Sequence, residues 1–159
     1  LRSEKDNEMR IVFSQGNFNS VEIKEITESF SKIVPVKQQY YAQDSVEALS
    51  PFLIFSIGYV LGSVGQGFFK AIGSDLYRIA KEKVIRALKN KQNPKVIFQM
   101  SYKSTTISIT SQTKDERELN KIFDTIDKAK DIAINELDRQ RTKTSLMLIN
   151  YDGDWILEK

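Results

Sequence analysis

The spacing of apolar residues divides the chain into short β-rich runs and longer helical patterns. Residues 9–14, MRIVFS, are rich in strand formers. Gln15-Gly16-Asn17 reads as a turn. Asn19 and Glu22 then stand three apart as a capping box, and Ile23, Ile26, Phe30 and Ile33 mark one face of a helix that Pro35 ends. Residues 36–43, VKQQYYAQ, read as a second, rather polar strand. Asp44 and Glu47 resemble another helix start.

Residues 51–73, PFLIFSIGYVLGSVGQGFFKAIG, carry no charge before Lys70 and hold five of the seven glycines. At 100° per residue, Leu53, Ile57, Val60, Leu61, Val64, Phe68, Ala71 and Ile72 fall on one face. Phe52, Ser56, Tyr59, Ser63, Gln66 and Lys70 fall opposite, and Gly58, Gly62 and Gly65 form a strip between them. Such a helix has a soft polar side, unlike one surrounded by lipid. A glycine costs roughly 1 kcal/mol against alanine inside a helix, so the strip implies that another backbone approaches it closely. The pattern predicts a helix buried in a soluble domain. A bilayer-inserting helix is the alternative, since the run is near the ~20 residues needed to span. A phosphate loop is disfavoured. The glycines lack a closing Gly-Lys-Ser/Thr, Lys70 stands where a dinucleotide fingerprint needs its third glycine, and no β-rich run leads into them.

Gly73 stops that helix, and Ser74 caps another over 75–88, with Leu76, Ile79, Ala80, Val84, Ala87 and Leu88 on its apolar side. Residues 89–94, KNKQNP, form a loop. Val96, Phe98, Met100 and Tyr102 then alternate, as do Ile107 and Ile109, and the short Lys103-Ser104 link predicts a hairpin. Residues 114–137 predict one long helix, its stripe being Leu119, Ile122, Phe123, Ile126, Ala129, Ala133 and Leu137. Asp152-Gly153 between 145–151 and 154–159 is a strong hairpin signal, with Trp155 and Leu157 on one buried face of the last strand.

The resulting order is β-α-β-(α-α)-β-β-α-β-β, an α+β or α/β fold with a mixed sheet and packed helices. Residues 1–8 read as a disordered lead-in and 9–159 as a single domain without internal repeat. At 159 residues the chain can bury a substantial core. It opens on a charged stretch without the apolar region of a signal peptide, and without an initiator Met, as expected of a fragment.

Composition narrows the chemistry. The chain has no cysteine and no histidine. Thiolate nucleophiles, disulfides, zinc fingers and the commonest general base are thereby excluded. The net charge of +3 is too small to demand an anionic partner. Residues 70–95 are locally basic, and Lys70, Arg78, Lys81 and Arg86 are the candidates for holding an anion. A solvated helix face explains them as well, because Glu82 and Arg86 make a good i,i+4 pair. Tyr77 and Phe98 read as core. Asp124, Asp127 and Asp131 lie on one side of the later helix, where Lys128 and Lys130 mark a wet face rather than a metal site. Ser29-x-x-Lys32 and Tyr77-x-x-x-Lys81 match short catalytic patterns without their structural context.

The leading expectation is therefore a soluble, cytoplasmic, non-enzymatic domain that binds a protein partner or its own copy, with Gly58, Gly62 and Gly65 as the contact strip. It uses no cofactor or metal, and it reads no specific nucleic-acid sequence, since no reading module appears. One alternative is a ligand-binding domain or Mg²⁺-dependent enzyme that works on a phosphate compound with carboxylates and lysines. A second is a membrane-acting effector that inserts residues 51–73. The hairpin gives a first prediction. Gly153→Val should lower stability by about 1–2 kcal/mol, because a β-branched residue strains at φ > 0. Unchanged thermal unfolding of that variant would contradict the turn.

Overall fold

The computed structural model describes residues 7–41, 50–139, 145–151 and 154–158. They form seven strands and five helices. These are β1 (Met9–Ser14), α1 (Ser20–Ser31), β2 (Val36–Tyr41), β3 (Phe52–Tyr59), α2 (Ser63–Ala71), α3 (Asp75–Leu88), β4 (Lys95–Tyr102), β5 (Thr105–Gln112), α4 (Glu116–Asp124), α5 (Ile126–Arg139), β6 (Ser145–Tyr151) and β7 (Asp154–Glu158). The strands make one mixed sheet in the order β2-β1-β3-β4-β5-β6-β7. The expected mixed sheet with packed helices is present.

Parallel neighbours β1–β2, β3–β4 and β5–β6 are each joined through helices, and the remaining neighbours are antiparallel. All the helices share one face. Phe55 on β3 lies 5.0 Å, ring to ring, from Phe30 of α1 and 6.2 Å from Phe123 of α4. Phe98 on β4 contacts Phe68 of α2 and Phe123. Tyr77 of α3 touches Phe68 and Phe123 as well, and α5 buries Ala129, Ala133 and Leu137 in the same core. Buried ring pairs of this kind add about 0.5–1.5 kcal/mol each beyond their area.

This one-sidedness has a topological cause. β1 and β5 run the same way, but the crossover from β1 steps toward one sheet edge and that from β5 toward the other. With a common hand they would place their helices on opposite faces. Since the helices lie together, the third crossover has the opposite hand to the first two, and none of the five described helices lies on the second face of the sheet.

The central run departs from expectation. Residues 51–73 are not one helix but β3, a turn and α2. Leu53, Phe55 and Ile57 point under the helices and are wholly buried, while Phe52, Ile54 and Ser56 lie on the far face. β3 is apolar on both faces, which removes the period that separates strand from helix. The glycine strip therefore does not form. Gly58 sits at a bulge of β3 with φ +75°, and Gly62 is the N-cap of α2. Gly65 is packed so tightly that a Cβ would lie 2.3 Å from the Tyr59 carbonyl oxygen and 2.7 Å from that of Val60. Nor is there a spanning helix: among the described residues no helix is long and apolar enough to cross a membrane.

Other departures are smaller. The helix expected over 114–137 breaks at Thr125, whose hydroxyl donates to the Lys121 carbonyl at 2.6 Å. Side-chain bonding of this kind competes with the helix ladder. Ser50-Pro51 precedes a strand rather than opening a helix. Trp155 is half-buried, its indole N–H donating to Thr125 Oγ1 at 3.2 Å. Lys103 and Ser104 form the expected hairpin link, both at positive φ, 46° and 66°. Tyr151 pairs with Asp154 in register. The Asp152-Gly153 turn geometry, residues 1–6 of the lead-in expected over 1–8, and the helix start at Asp44 and Glu47 lie outside the described residues.

The packing predicts a contrast between two neighbouring glycines. Gly65→Ala should cost about 3 kcal/mol, because backbone and not a flexible side chain blocks the methyl group. Gly67→Ala meets only Val34 Cγ1 at 3.2 Å, and better helix propensity offsets that crowding, leaving stability within about 1 kcal/mol. Denaturant unfolding of the two variants checks this; equal losses would contradict the close approach at Gly65.

Candidate functional site

The sheet face away from the helices carries the site. Adjacent strands set residues side by side across the sheet, and the registers trace one middle row from edge to edge. It runs Gln39, Val12, Ile54, Ile97, Thr110, Ile149, Ile156, in strand order from β2 to β7. Five of these seven are aliphatic. An antiparallel or mixed sheet that wets one face normally alternates apolar-in with polar-out. Here β4 and β5 obey that rule with Gln99, Ser101, Thr106 and Ser108, whereas the middle row breaks it. Val12, Ile54, Ile97 and Ile149 are half-buried by their own neighbours, and Ile156 is 51% exposed.

The rows on either side extend the surface. One runs Lys37, Arg10, Ser56, Gln99, Ser108, Met147, Glu158. Met147 in it is 42% exposed. On the other side Tyr41 packs edge-on against Phe52, with ring centroids 5.7 Å apart. An apolar line of this length, interrupted only by Thr110 and rimmed by polar and charged positions, is a mark of a contact surface. Chemically it offers aliphatic area, with the cations Arg10 and Lys37 at the β1–β2 end.

The residues singled out from the sequence lie elsewhere. Lys70, Arg78, Lys81 and Arg86 are not gathered into one anion site. Lys81 is 3.0 Å from Asp124, and Arg78 bridges Asp75 and Glu82. Arg86 lines a cleft of about 360 Å³ that also holds Glu82, Lys89 and Glu116, a wall of mixed sign. Lys70 lines a different cleft of about 350 Å³ beside α2. Lys130 shares it, lying over the Phe69 ring at 4.6 Å and paired with Asp131 at 3.2 Å.

A strand does lead directly into the glycine cluster, contrary to the sequence reading, so the strand–turn–helix context of a phosphate loop is present. The glycines are nonetheless accounted for by packing. Gly65 lets α2 close onto the end of β3, and the Gln66 side chain folds back to donate to the Leu61 carbonyl at 3.0 Å. Asp124, Asp127 and Asp131 do not converge, and no group of three or more acidic residues among the described residues is placed to hold a metal ion.

The open-face row was missed because its signal is a negative one. Ile54 and Ile97 occupy positions where alternation calls for polar side chains, and only the register shows that they are neighbours. Comparison with protein-family models, curated proteins and solved structures gave no match for the chain.

On the helix side, Tyr77 is the most deeply buried phenol among the described residues. It is 1% exposed and donates to the Phe123 carbonyl at 2.6 Å, satisfying a group left over where α4 ends. Burial raises its pKa well above the ordinary phenol value, and the nearby Asp124 and Asp127 carboxylates add to the rise. The stability tied to this group is thus whole below the unfolded value of about 10 and is lost as pH climbs from there toward the folded value. Tyr77→Phe should cost about 1–2 kcal/mol at neutral pH, because the carbonyl loses its buried donor. It should also flatten the fall in stability above pH ~10. Unfolding curves for both proteins across that range check this, and an unchanged alkaline slope would contradict it.

Proposed function

We propose that this chain is a non-enzymatic, cytoplasmic protein-interaction domain that receives its partner on the open face of the sheet. The observation that supports this most is the aliphatic middle row, Val12, Ile54, Ile97, Ile149 and Ile156, lying where solvent-facing strands ordinarily carry polar side chains. Burying such a row contributes roughly 25 cal/mol for each Å² of apolar surface removed from water, against which the cost of association is set. A sheet is also a stiff platform, so little ordering is needed on binding. The polar residues of β4 and β5 bordering the row keep the free face hydrated.

The composition agrees, since a chain without histidine or cysteine lacks the usual acid–base and nucleophilic groups. The carboxylate-and-lysine alternative has less behind it. Asp124 and Asp131 each face a lysine at hydrogen-bond distance, and in the cleft that Glu82 and Glu116 share, Glu116 is paired with Lys89 and Glu82 with Arg78.

A photo-reactive residue placed at position 97, in cells that make the protein, tests the reading. A discrete protein adduct is expected from position 97 and none from position 28, an exposed site on α1. No adduct at 97, or the same pattern from both positions, would overturn the assignment of the open face.

A further inference from the structure

We infer that the occupant of the open face is an acidic segment of another protein, one that presents aliphatic side chains between carboxylates and lies over β2, β1, β3 and β4. The inference rests on the reading of that face as a docking surface and names the chemistry of its partner.

The register sets two cations side by side. Arg10 of β1 stands directly across from Lys37 of β2 on the open face, where neighbouring strands are only about 4.8 Å apart. Like charges so placed repel and cost stability. Among the described residues no carboxylate relieves them. Every ion pair there includes a helix residue, and none includes Arg10, Lys37 or Lys95. Glu8, just before β1, joins none of these pairs either.

Lys95 is the third cation of the face. It opens β4 and stands across from Phe52 of β3. Arg10 lies two residues from Val12, and Lys95 two residues from Ile97. The cations therefore flank the aliphatic row at about 7 Å to either side, Lys95 on one and Arg10 with Lys37 on the other. No position of the open face on these four strands is acidic. The acidic residues of β7, Asp154 and Glu158, enter the sheet three strand spacings beyond β4, about 14 Å away. The acidic segment is thus confined to the β2–β4 half.

The partner's chemistry follows from both features. The aliphatic row calls for an apolar stripe, and the unrelieved cations on its two flanks call for carboxylates along both edges of that stripe. A nucleic-acid strand matches the charge but not the row, because bases stack on rings and the middle of the face is aliphatic. Tyr41 and Phe52, the rings at one end, pack edge-on against each other. An anionic bilayer finds too little charge, since each cation contributes only about 1 kcal/mol at a membrane surface.

Two measurements test this. In the isolated protein, Lys37→Glu turns the repelling pair into an attracting one. Its thermal midpoint should rise at low salt, and the gain should shrink as salt screens it. A midpoint that does not rise overturns the inference. In cells, the photo-reactive residue at position 97 should join a protein segment, identified by mass spectrometry, in which acidic residues outnumber basic ones. Combining Arg10→Glu, Lys37→Glu and Lys95→Glu should cut that adduct about tenfold, with circular dichroism confirming the fold. Changing the segment's own carboxylates to lysine should restore it. A segment that is not acidic, an adduct whose yield survives the triple change, or an adduct of twice the chain mass overturns the acidic partner and leaves the docking surface standing. An adduct with nucleic acid or lipid, or none at all, overturns both readings.

Discussion

Five helices sharing one face of a seven-stranded sheet is the constraint from which the rest of this molecule follows. The covered face must hold the whole core, and it does so with large rings: Phe30, Phe55, Phe68, Phe98 and Phe123 meet beneath the helices. Among the described elements the other face is left to strands alone. If the third crossover had shared the hand of the first two, α4 and α5 would lie over that face and bury the aliphatic row. Fold and candidate function are therefore linked through connectivity, and no special side chain is needed to create the surface.

The turn between β3 and α2 shows how closely the covered face is drawn in. Tyr59 ends the strand, Val60 follows it in the turn, and α2 starts within a few residues of them. The Tyr59 and Val60 carbonyls come so near α2 that only a hydrogen atom fits at Gly65. This close approach brings Phe68 to the rings of Phe30 and Phe98. What looks in the sequence like a ligand loop or a helix-packing strip is the shortest route from a central strand to the helix above it.

Much of the fold was legible in the sequence, for physical reasons that can be named. The capping box at Asn19 and Glu22 is present with both hydrogen bonds. The alternation of Val96, Phe98, Met100 and Tyr102 marks a strand with one buried face, and the two-residue link after it closes a hairpin. Pattern reading failed where a residue's surroundings, not its neighbours in sequence, decide its state. Phe52 and Ile54 made β3 apolar on both faces, so a helical projection fitted it equally well. Thr125 breaks a helix by bonding to its own preceding turn, and its sequence context gives little warning. The candidate surface was hidden by the same ambiguity. Ile54 belongs to an outward row only because Val12 and Ile97 flank it in the sheet.

The central claim, that one face of the sheet is open in the single chain, can be measured with isoleucine methyl groups on both faces. Ile11, Ile57, Ile107 and Ile109 lie wholly buried under the helices, while Ile54, Ile97, Ile149 and Ile156 lie on the open face. Relaxation of these methyl signals by a soluble paramagnetic probe, at a concentration low enough for monomer, reads their access to solvent directly. The open-face set should broaden strongly, with Ile156 the most affected, and the helix-side set should not. Equal protection of both sets would mean that the chain covers its own second face, and the account would fail.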